Sequence, residues 1–200
     1  MTQVFLNYRS DDDPFGVAML DQALSERFGS DAVFVSSKSI PLGAHWEPMI
    51  FQAIAHSTAL LAIIGRAWLD GDGRRRLDDP ADYVRREILH ALSLRKQVIP
   101  VRLGTPRLSI SDLPPALAEL AGCQDIEIRF RSHAIDVDRL AGALAEQIPE
   151  LGEPVATSRE LPAGAGSNSV TFHGKVRVKG DVIGRDQHKW IGPTGERGRP

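Results

Sequence analysis

The sequence is poor in cysteine and contains no long apolar run. Cys123 is the only cysteine in 200 residues, so the chain cannot form an internal disulfide, as is typical of proteins in a reducing compartment. No segment approaches the roughly 18 consecutive apolar residues that a membrane-spanning helix requires. The first residues, MTQVFLNYRSDDD, also lack the basic and then apolar stretches of a secretory signal. These absences predict a cytoplasmic protein without membrane contacts.

The net charge of −2 indicates no particular class of partner, but the charge is unevenly distributed. After residue 169 there are seven Lys and Arg residues against three Asp and Glu residues. Some of these basic residues alternate with valines, a pattern that suits either nucleic-acid binding or one solvated face of a short strand. The solvated face is the simpler interpretation, so we do not expect nucleic acid to be a partner.

Short apolar runs alternate with amphipathic stretches along the first 150 residues. The apolar runs predict five strands, at residues 4–6, 32–35, 59–64, 97–102 and 125–128. Apolar residues at helical spacing predict five helices, at residues 14–28, 46–56, 82–92, 113–120 and 134–148. Residues 36–43 and 65–81 are predicted to be loops, and Pro100 is expected at an irregular or edge position of its strand.

This alternation favours a flavodoxin-like, doubly wound sheet of five parallel strands, with helices on both faces. Ligands of such sheets bind beyond the carboxyl ends of the strands. The segments 7–13, 36–46 and 65–81 follow the first three predicted strands. We therefore expect them to meet at one edge of the sheet, next to the start of the helix at 82–92.

The chain changes character after the first domain, which is predicted to span residues 1–150. Residues 151–169 are rich in Pro, Gly, Ala and Ser, which predicts a flexible linker. Residues 170–190 alternate apolar and polar residues between glycines, which predicts short strands that cannot bury a core alone. Residues 191–200 are predicted to be a disordered tail. This C-terminal segment is expected to help the chain cluster or to bind another effector or sensor protein.

Two chemistries that this architecture often hosts lack their motifs. A dinucleotide-binding Rossmann domain needs G-x-G-x-x-G directly after the first strand, where this chain has Asn7-Tyr8-Arg9. A phospho-receiver would need an acceptor Asp at the end of the third strand, where this chain has Ile64-Gly65-Arg66. Neither a redox nor a phospho-receiver function is therefore expected.

Four segments, in this order, resemble those that characterise Toll/interleukin-1 receptor (TIR) domains. They are VFLNYRSDD, VFVSSKSIPLGAHWEPMIFQAI, DYVRREILHAL and KQVIPVRLG. Asn7 stands where the first segment usually has Ser, and Tyr83 stands where the third usually has Trp. The third segment is most similar to that of TIR domains that cleave NAD+, including those of bacterial defence proteins.

The resemblance implies an NAD+ glycohydrolase that releases nicotinamide and forms ADP-ribose or a cyclic variant. Glu87 matches the catalytic Glu of these relatives. The residues implied to contact NAD+ are Tyr8, Arg9, Ser10, Ser36, Ile40, Trp46 and Tyr83. No metal and no cofactor are implied, since NAD+ is the substrate. The relatives act as assemblies in which the loop corresponding to residues 36–43 of one protomer helps to complete the next protomer's site.

Two alternatives stay open at this point. Other TIR domains are non-enzymatic scaffolds, in which the loop at 36–43 would bind a second TIR domain. Glu87 can also be interpreted as an ordinary surface carboxylate that pairs with Arg86 or with Arg95 of the following turns.

Overall fold

The computed structural model describes residues 3–71 and 74–152. Its central sheet has five parallel strands in the order β2-β1-β3-β6-β7. These strands are β1 (Val4–Asn7), β2 (Val33–Phe34), β3 (Ala59–Ile64), β6 (Gln97–Leu103) and β7 (Ile126–Ile128). A separate antiparallel pair is formed by β4 (Asp70–Gly71) and β5 (Arg74–Arg75). If only the five strands of this sheet are numbered along the chain, their order is 2-1-3-4-5. This is the flavodoxin order, so the predicted flavodoxin-like sheet is confirmed.

Within the described residues, five α-helices accompany the sheet: α1 (Pro14–Phe28), α2 (Ser36–Ser39), α3 (Trp46–His56), α4 (Tyr83–Ser93) and α5 (His133–Gln147). Alternate residues of β3 face opposite sides, so Leu61 joins a core with α1 and α5 while Leu60 joins a core with α3 and α4. All six β3 residues are buried, as the uninterrupted apolar run from 59 to 64 predicts. The described helices are all too short or too polar to cross a membrane.

Pro100 lies on an inner strand, but at a position that is unpaired on one side, as the prediction of an irregular or edge position implies. Pro100 is buried in β6, which is flanked by β3 and β7. It pairs with Ala62 of β3, whereas the pairing of β6 with β7 begins only at Val101. Position 100 therefore has a strand partner on one side only, which is compatible with the missing N–H of proline.

Two predicted loops contain more structure than the sequence predicts, and one predicted helix is of a different type. The predicted loop at 36–43 begins with α2, and the predicted loop at 65–81 contains β4, β5 and a 3₁₀ turn at Arg76–Asp78. Trp68 and Leu77 from the second loop are almost completely buried in the α3–α4 core. The predicted helix at 113–120 is a 3₁₀ helix at Pro115–Gly122. The few apolar residues of segment 65–81 follow neither a helical nor a strand period, so the sequence pattern does not reveal that some of them are buried.

Most of the C-terminal region lies outside the described residues. This applies to the predicted linker from residue 153, to the predicted strands at 170–190 and to the predicted tail at 191–200. The last described element is a 3₁₀ turn at Pro149–Leu151, which follows α5.

Candidate functional site at the start of α4

Glu87 lies on α4 beneath the surface of the protein. The residue is 8% exposed, and burial of its carboxyl raises the pKa of Glu87 to about 7. A hydrogen bond from Asn7 and the charge of Arg86 oppose this rise in pKa, whereas the charge of Asp82 adds to it. The carboxyl therefore exists in both protonation states near neutral pH.

The carboxyl of Glu87 is held by a residue of the first strand. Asn7 is fully buried at the end of β1, and its Nδ2 donates to Glu87 Oε2 at 2.8 Å and to the Val84 carbonyl at 3.3 Å. Asn7 Oδ1 is buried and has no hydrogen-bond partner within the described residues. The sequence shows Asn7 only as a departure from the usual Ser. The one signal for its importance is a polar residue at the end of a buried apolar run.

Arg9 braces the start of the same helix. It is 4% exposed, and its Nε donates to the Trp68 carbonyl at 2.7 Å. Its two terminal nitrogens donate to the Asp82 carboxylate at 2.6 and 3.3 Å. Asp82 in turn caps α4 by accepting a hydrogen bond from the Arg85 N–H. The guanidinium thus faces protein groups, and binding a phosphate would require this pair to open.

Two aromatic side chains form an exposed surface one turn before Glu87. Trp46 begins α3 and is 46% exposed, and Tyr83 begins α4 and is 39% exposed. Their ring centroids are 4.8 Å apart in an edge-to-face arrangement. Tyr83 and Glu87 are four residues apart, so they share one side of the helix. Both rings are therefore partly accessible to solvent.

Arg86 does not pair with Glu87. Its guanidinium bonds Glu47 of α3 and lies 4.7 Å from the centroid of the Tyr83 ring. Arg95 is exposed just beyond the end of α4, at a left-handed backbone position. The interpretation of Glu87 as a surface carboxylate with an arginine partner is wrong. Its carboxyl is buried and bonds Asn7, and the Arg86 guanidinium bonds Glu47.

The other predicted NAD+ contacts are distributed around the two loops that follow β1 and β2. The Tyr8 and Ser36 hydroxyls are hydrogen-bonded at 3.2 Å, which joins these loops. Ser10 is exposed, and Ile40 is half-buried against the α3–α4 core. The hydrogen bonds of the described residues do not connect this group to Glu87, so its part in ligand binding stays a prediction.

Two surface cavities, of about 570 and 550 Å³, lie away from Glu87. The larger is at the carboxyl edge of the sheet between the starts of α1 and α5, and the smaller is lined by residues of β6, β7 and α5. Glu87 lines neither cavity, in keeping with its low exposure. Among the described residues, His, Cys, Asp and Glu side chains form no cluster of three that could hold a metal ion.

Comparisons with known proteins place this fold in one family. A family model described as "TIR domain" matches residues 4–142. The TIR domains of the activated Roq1 resistosome, which directly recognises the pathogen effector XopQ, share 14% identity with this chain at a TM-score of 0.55; the match covers 72% of this chain and 99% of that one.

The TIR domain of the Toll-related receptor TRR-2 from Hydra magnipapillata has 15% identity and a TM-score of 0.45, covering 76% of this chain and 98% of that one. None of the curated proteins compared with the sequence matches it significantly. The likeness to the Roq1 domains concerns the fold alone, whereas the family model matches well over half of the sequence. The chain therefore belongs to the TIR domain family.

Proposed function

We propose that this TIR domain is an NAD+ glycohydrolase that acts through Glu87. One observation carries the proposal: a desolvated carboxyl lies on the same helix side as an exposed pair of aromatic rings, one turn away. Perturbed carboxyls of this kind concentrate at functional sites. The rings of Trp46 and Tyr83 offer a flat apolar surface for a nicotinamide or adenine ring.

The reaction needs a negative charge next to the ribose. As the bond between ribose C1′ and the nicotinamide nitrogen breaks, the bonding electron pair leaves with nicotinamide, which becomes neutral. Positive charge then spreads over the ribose ring, as in glycoside hydrolysis. The ionised Glu87 carboxylate would stabilise this charge. Attack by water at C1′, with loss of a proton, yields ADP-ribose, whereas attack by a nucleophile within the same molecule yields a cyclic product.

The remaining contacts are proposed from the loops that surround the helix start. Tyr8, Ser10, Ser36 and Ile40 would line the bound dinucleotide, and Arg9 would contribute positive charge behind its phosphates. Arg9 cannot bind a phosphate directly while it holds Asp82. We therefore expect Arg9 either to change partner on binding or to act through the position of α4.

Self-association is proposed as the step that completes the site. Glu87 is nearly covered in the single chain, so a substrate can reach it only after a rearrangement. Contacts from a second copy would stabilise the rearranged form. Leu42 is fully exposed in the loop after α2 and offers an apolar contact for such a copy. This assembly step, like a role in defence signalling, is taken from the family resemblance.

The test is nicotinamide release from NAD+ by the purified chain, measured by chromatography over a range of protein concentrations. Glu87→Gln and Glu87→Ala should reduce release by about 100- to 1,000-fold, which is the usual effect of losing one group that stabilises transition-state charge. Glu146→Gln is the matched control, because Glu146 is exposed on α5, on the other side of the sheet. Equal release by wild type and Glu87→Gln would contradict the proposal.

A non-enzymatic scaffold is the second candidate, and one observation favours it. The carboxyl of Glu87 is closed over, and neither described cavity reaches it. If wild-type chains that have assembled, as shown by light scattering, release no nicotinamide, the scaffold function is the better conclusion.

A further inference from the structure

We propose that Asn7 is a positioning residue that orients the Glu87 carboxyl for the reaction. This inference rests on the proposed function, because the orientation of the carboxyl matters only if Glu87 acts on a substrate. Asn7 itself is fully buried, so it acts through Glu87 and not by touching the substrate.

The side-chain amide of Asn7 makes two hydrogen bonds to the same helix, α4. One N–H of Nδ2 bonds the Val84 carbonyl and the other bonds Glu87 Oε2. Since Val84 is three residues before Glu87, the first bond fixes the amide relative to the helix, and the second then restricts rotation of the carboxyl. Both donors of the amide are used in this way.

The arrangement leaves one carboxyl oxygen for a ligand. Oε2 accepts from Asn7, whereas Oε1 makes no hydrogen bond within residues 3–71 and 74–152. A carboxylate that is held by one oxygen presents the other in a defined direction, which spares the entropy of fixing it during reaction. Oε1 is thus the oxygen that we assign to the ribose.

The amide at position 7 carries a cost in folding free energy. Asn7 Oδ1 is buried without a partner among the described residues, and a buried acceptor in this state costs folding free energy. An apolar side chain of similar shape, such as Leu, would avoid that cost but would leave Glu87 Oε2 without its donor. A buried polar atom that is left without a partner at the expense of folding free energy is typical of a functional site.

Residue 9 supports the same helix from the same strand end. Asn7 and Arg9 are two residues apart, and their side chains reach the carboxyl and the cap of α4 respectively. The charged groups near Glu87 are Asp82 and Arg86 on its own helix, and Glu47 of α3 neutralises Arg86. Asn7 is therefore the neutral contact that favours the ionised carboxylate, and its bond lowers the pKa of Glu87.

The test compares Asn7→Leu, Asn7→Ala and Asn7→Ser with wild type. In Leu and Ala variants we expect kcat to fall by about 10- to 100-fold with KM nearly unchanged, as for a small misplacement of a reacting group. The acidic limb of the pH profile should move to higher pH, because a bond to the ionised form is lost. Asn7→Ser keeps a short donor and should recover most of the loss. Gln22→Leu, on exposed α1 surface, is the control.

The outcomes separate positioning from stability and from failure of the proposed function. An Asn7→Leu protein that is as stable as wild type and has unchanged kcat and pH profile would overturn the inference. If Asn7→Leu does not fold, the contrast between Asn7→Ala and Asn7→Ser decides, and equal loss in both would overturn it.

A second readout does not depend on activity. The Glu87 carboxyl can be titrated by carbon-13 NMR in wild type and in the Asn7 variants. A higher pKa in Asn7→Ala supports the inference even if no NAD+ is cleaved, in which case only the proposed function fails. An unchanged pKa overturns the inference even if Glu87→Gln abolishes cleavage.

Discussion

Two buried carboxyls, on helices that cover opposite faces of the sheet, have pKa values that are shifted in opposite directions. Glu87 on α4 receives one hydrogen bond, from the neutral amide of Asn7, and burial raises its pKa to about 7. Asp136 on α5 is fully buried, yet its bonds from the Arg129 guanidinium hold its pKa far below the usual range. The Arg129 N–H and the Ser132 hydroxyl also donate to it.

The two carboxyls differ in their partners and in how strongly the surrounding protein desolvates them. Asp136 has a charged donor at 2.6 Å and further donors that satisfy its oxygens, so it stays ionised and stabilises the start of α5. Glu87 has no cation of its own, because Arg86 pairs with Glu47 and Arg9 pairs with Asp82. Asp136 is held in the ionised form by a cation, whereas Glu87 has no such partner in the described part of the chain.

The largest expected effect concerns activity. Glu87→Gln should lower nicotinamide release by about 100- to 1,000-fold, whereas Asp136→Asn should leave the activity of the folded fraction within about twofold. Steady-state assays normalised to folded protein by circular dichroism make this comparison. A larger activity loss in Asp136→Asn than in Glu87→Gln would break the contrast.

The stability of Glu87→Gln should depend on pH in a defined direction. The folded pKa of about 7 exceeds the ordinary value of 4.5, so the folded state retains a proton that the unfolded state loses between these pH values. Raising the pH through this window therefore destabilises wild type. Glu87→Gln should be more stable by about 3 kcal/mol at pH 8 and similar to wild type near pH 4.

Urea unfolding at pH 4, 6 and 8 measures this difference. Asn7 can still donate to the side-chain oxygen of a glutamine, so the hydrogen bond at this position is kept. A stability gain that is equal at all three pH values would show that Glu87 is not desolvated in solution.

The folding stability of Asp136→Asn relative to wild type should depend on pH in the opposite direction, and the difference should be smaller. The lowered pKa means that Asp136 stabilises the fold above its ordinary value of 3.8, and that this contribution is lost as the pH falls through the folded pKa. We expect a loss of about 1.5–3 kcal/mol at pH 7, the usual value of hydrogen bonds to a charged group. A loss that persists undiminished at pH 2 would contradict the assigned ionisation.

The smallest expected effect concerns the exposed rings. Trp46→Ala should raise KM for NAD+ by about 3- to 10-fold, corresponding to an aromatic contact of roughly 0.5–1.5 kcal/mol, with little change in stability. Leu94→Ala is the control, because Leu94 is 42% exposed at the other end of α4. A large drop in melting temperature for Trp46→Ala would identify the ring as a packing group.

The sequence predicts most of the framework because its signals are local. The run at 59–64 is uniformly apolar and becomes the central strand, and the period of residues 82–92 yields α4 with Tyr83 and Glu87 on one side. The sequence does not predict Trp68 and Leu77 as core residues, because the few apolar residues of segment 65–81 follow neither a helical nor a strand period. The partner of Glu87 was also missed, since Asn7 lies 80 residues away in the chain.

By itself, the sequence determined the order of strands and helices, the family resemblance and the placement of an acid one helical turn after an aromatic residue. These features depend on the spacing of residues that are close in the sequence. Residues spaced at the helical period of 3.6 or the strand period of 2 lie on the same face of a helix or strand. Only the tertiary structure decided that Glu87 is buried against Asn7, that Arg9 is committed to Asp82 and that Asp136 is ionised. Burial and hydrogen bonding between distant segments set these properties, and no local pattern encodes them.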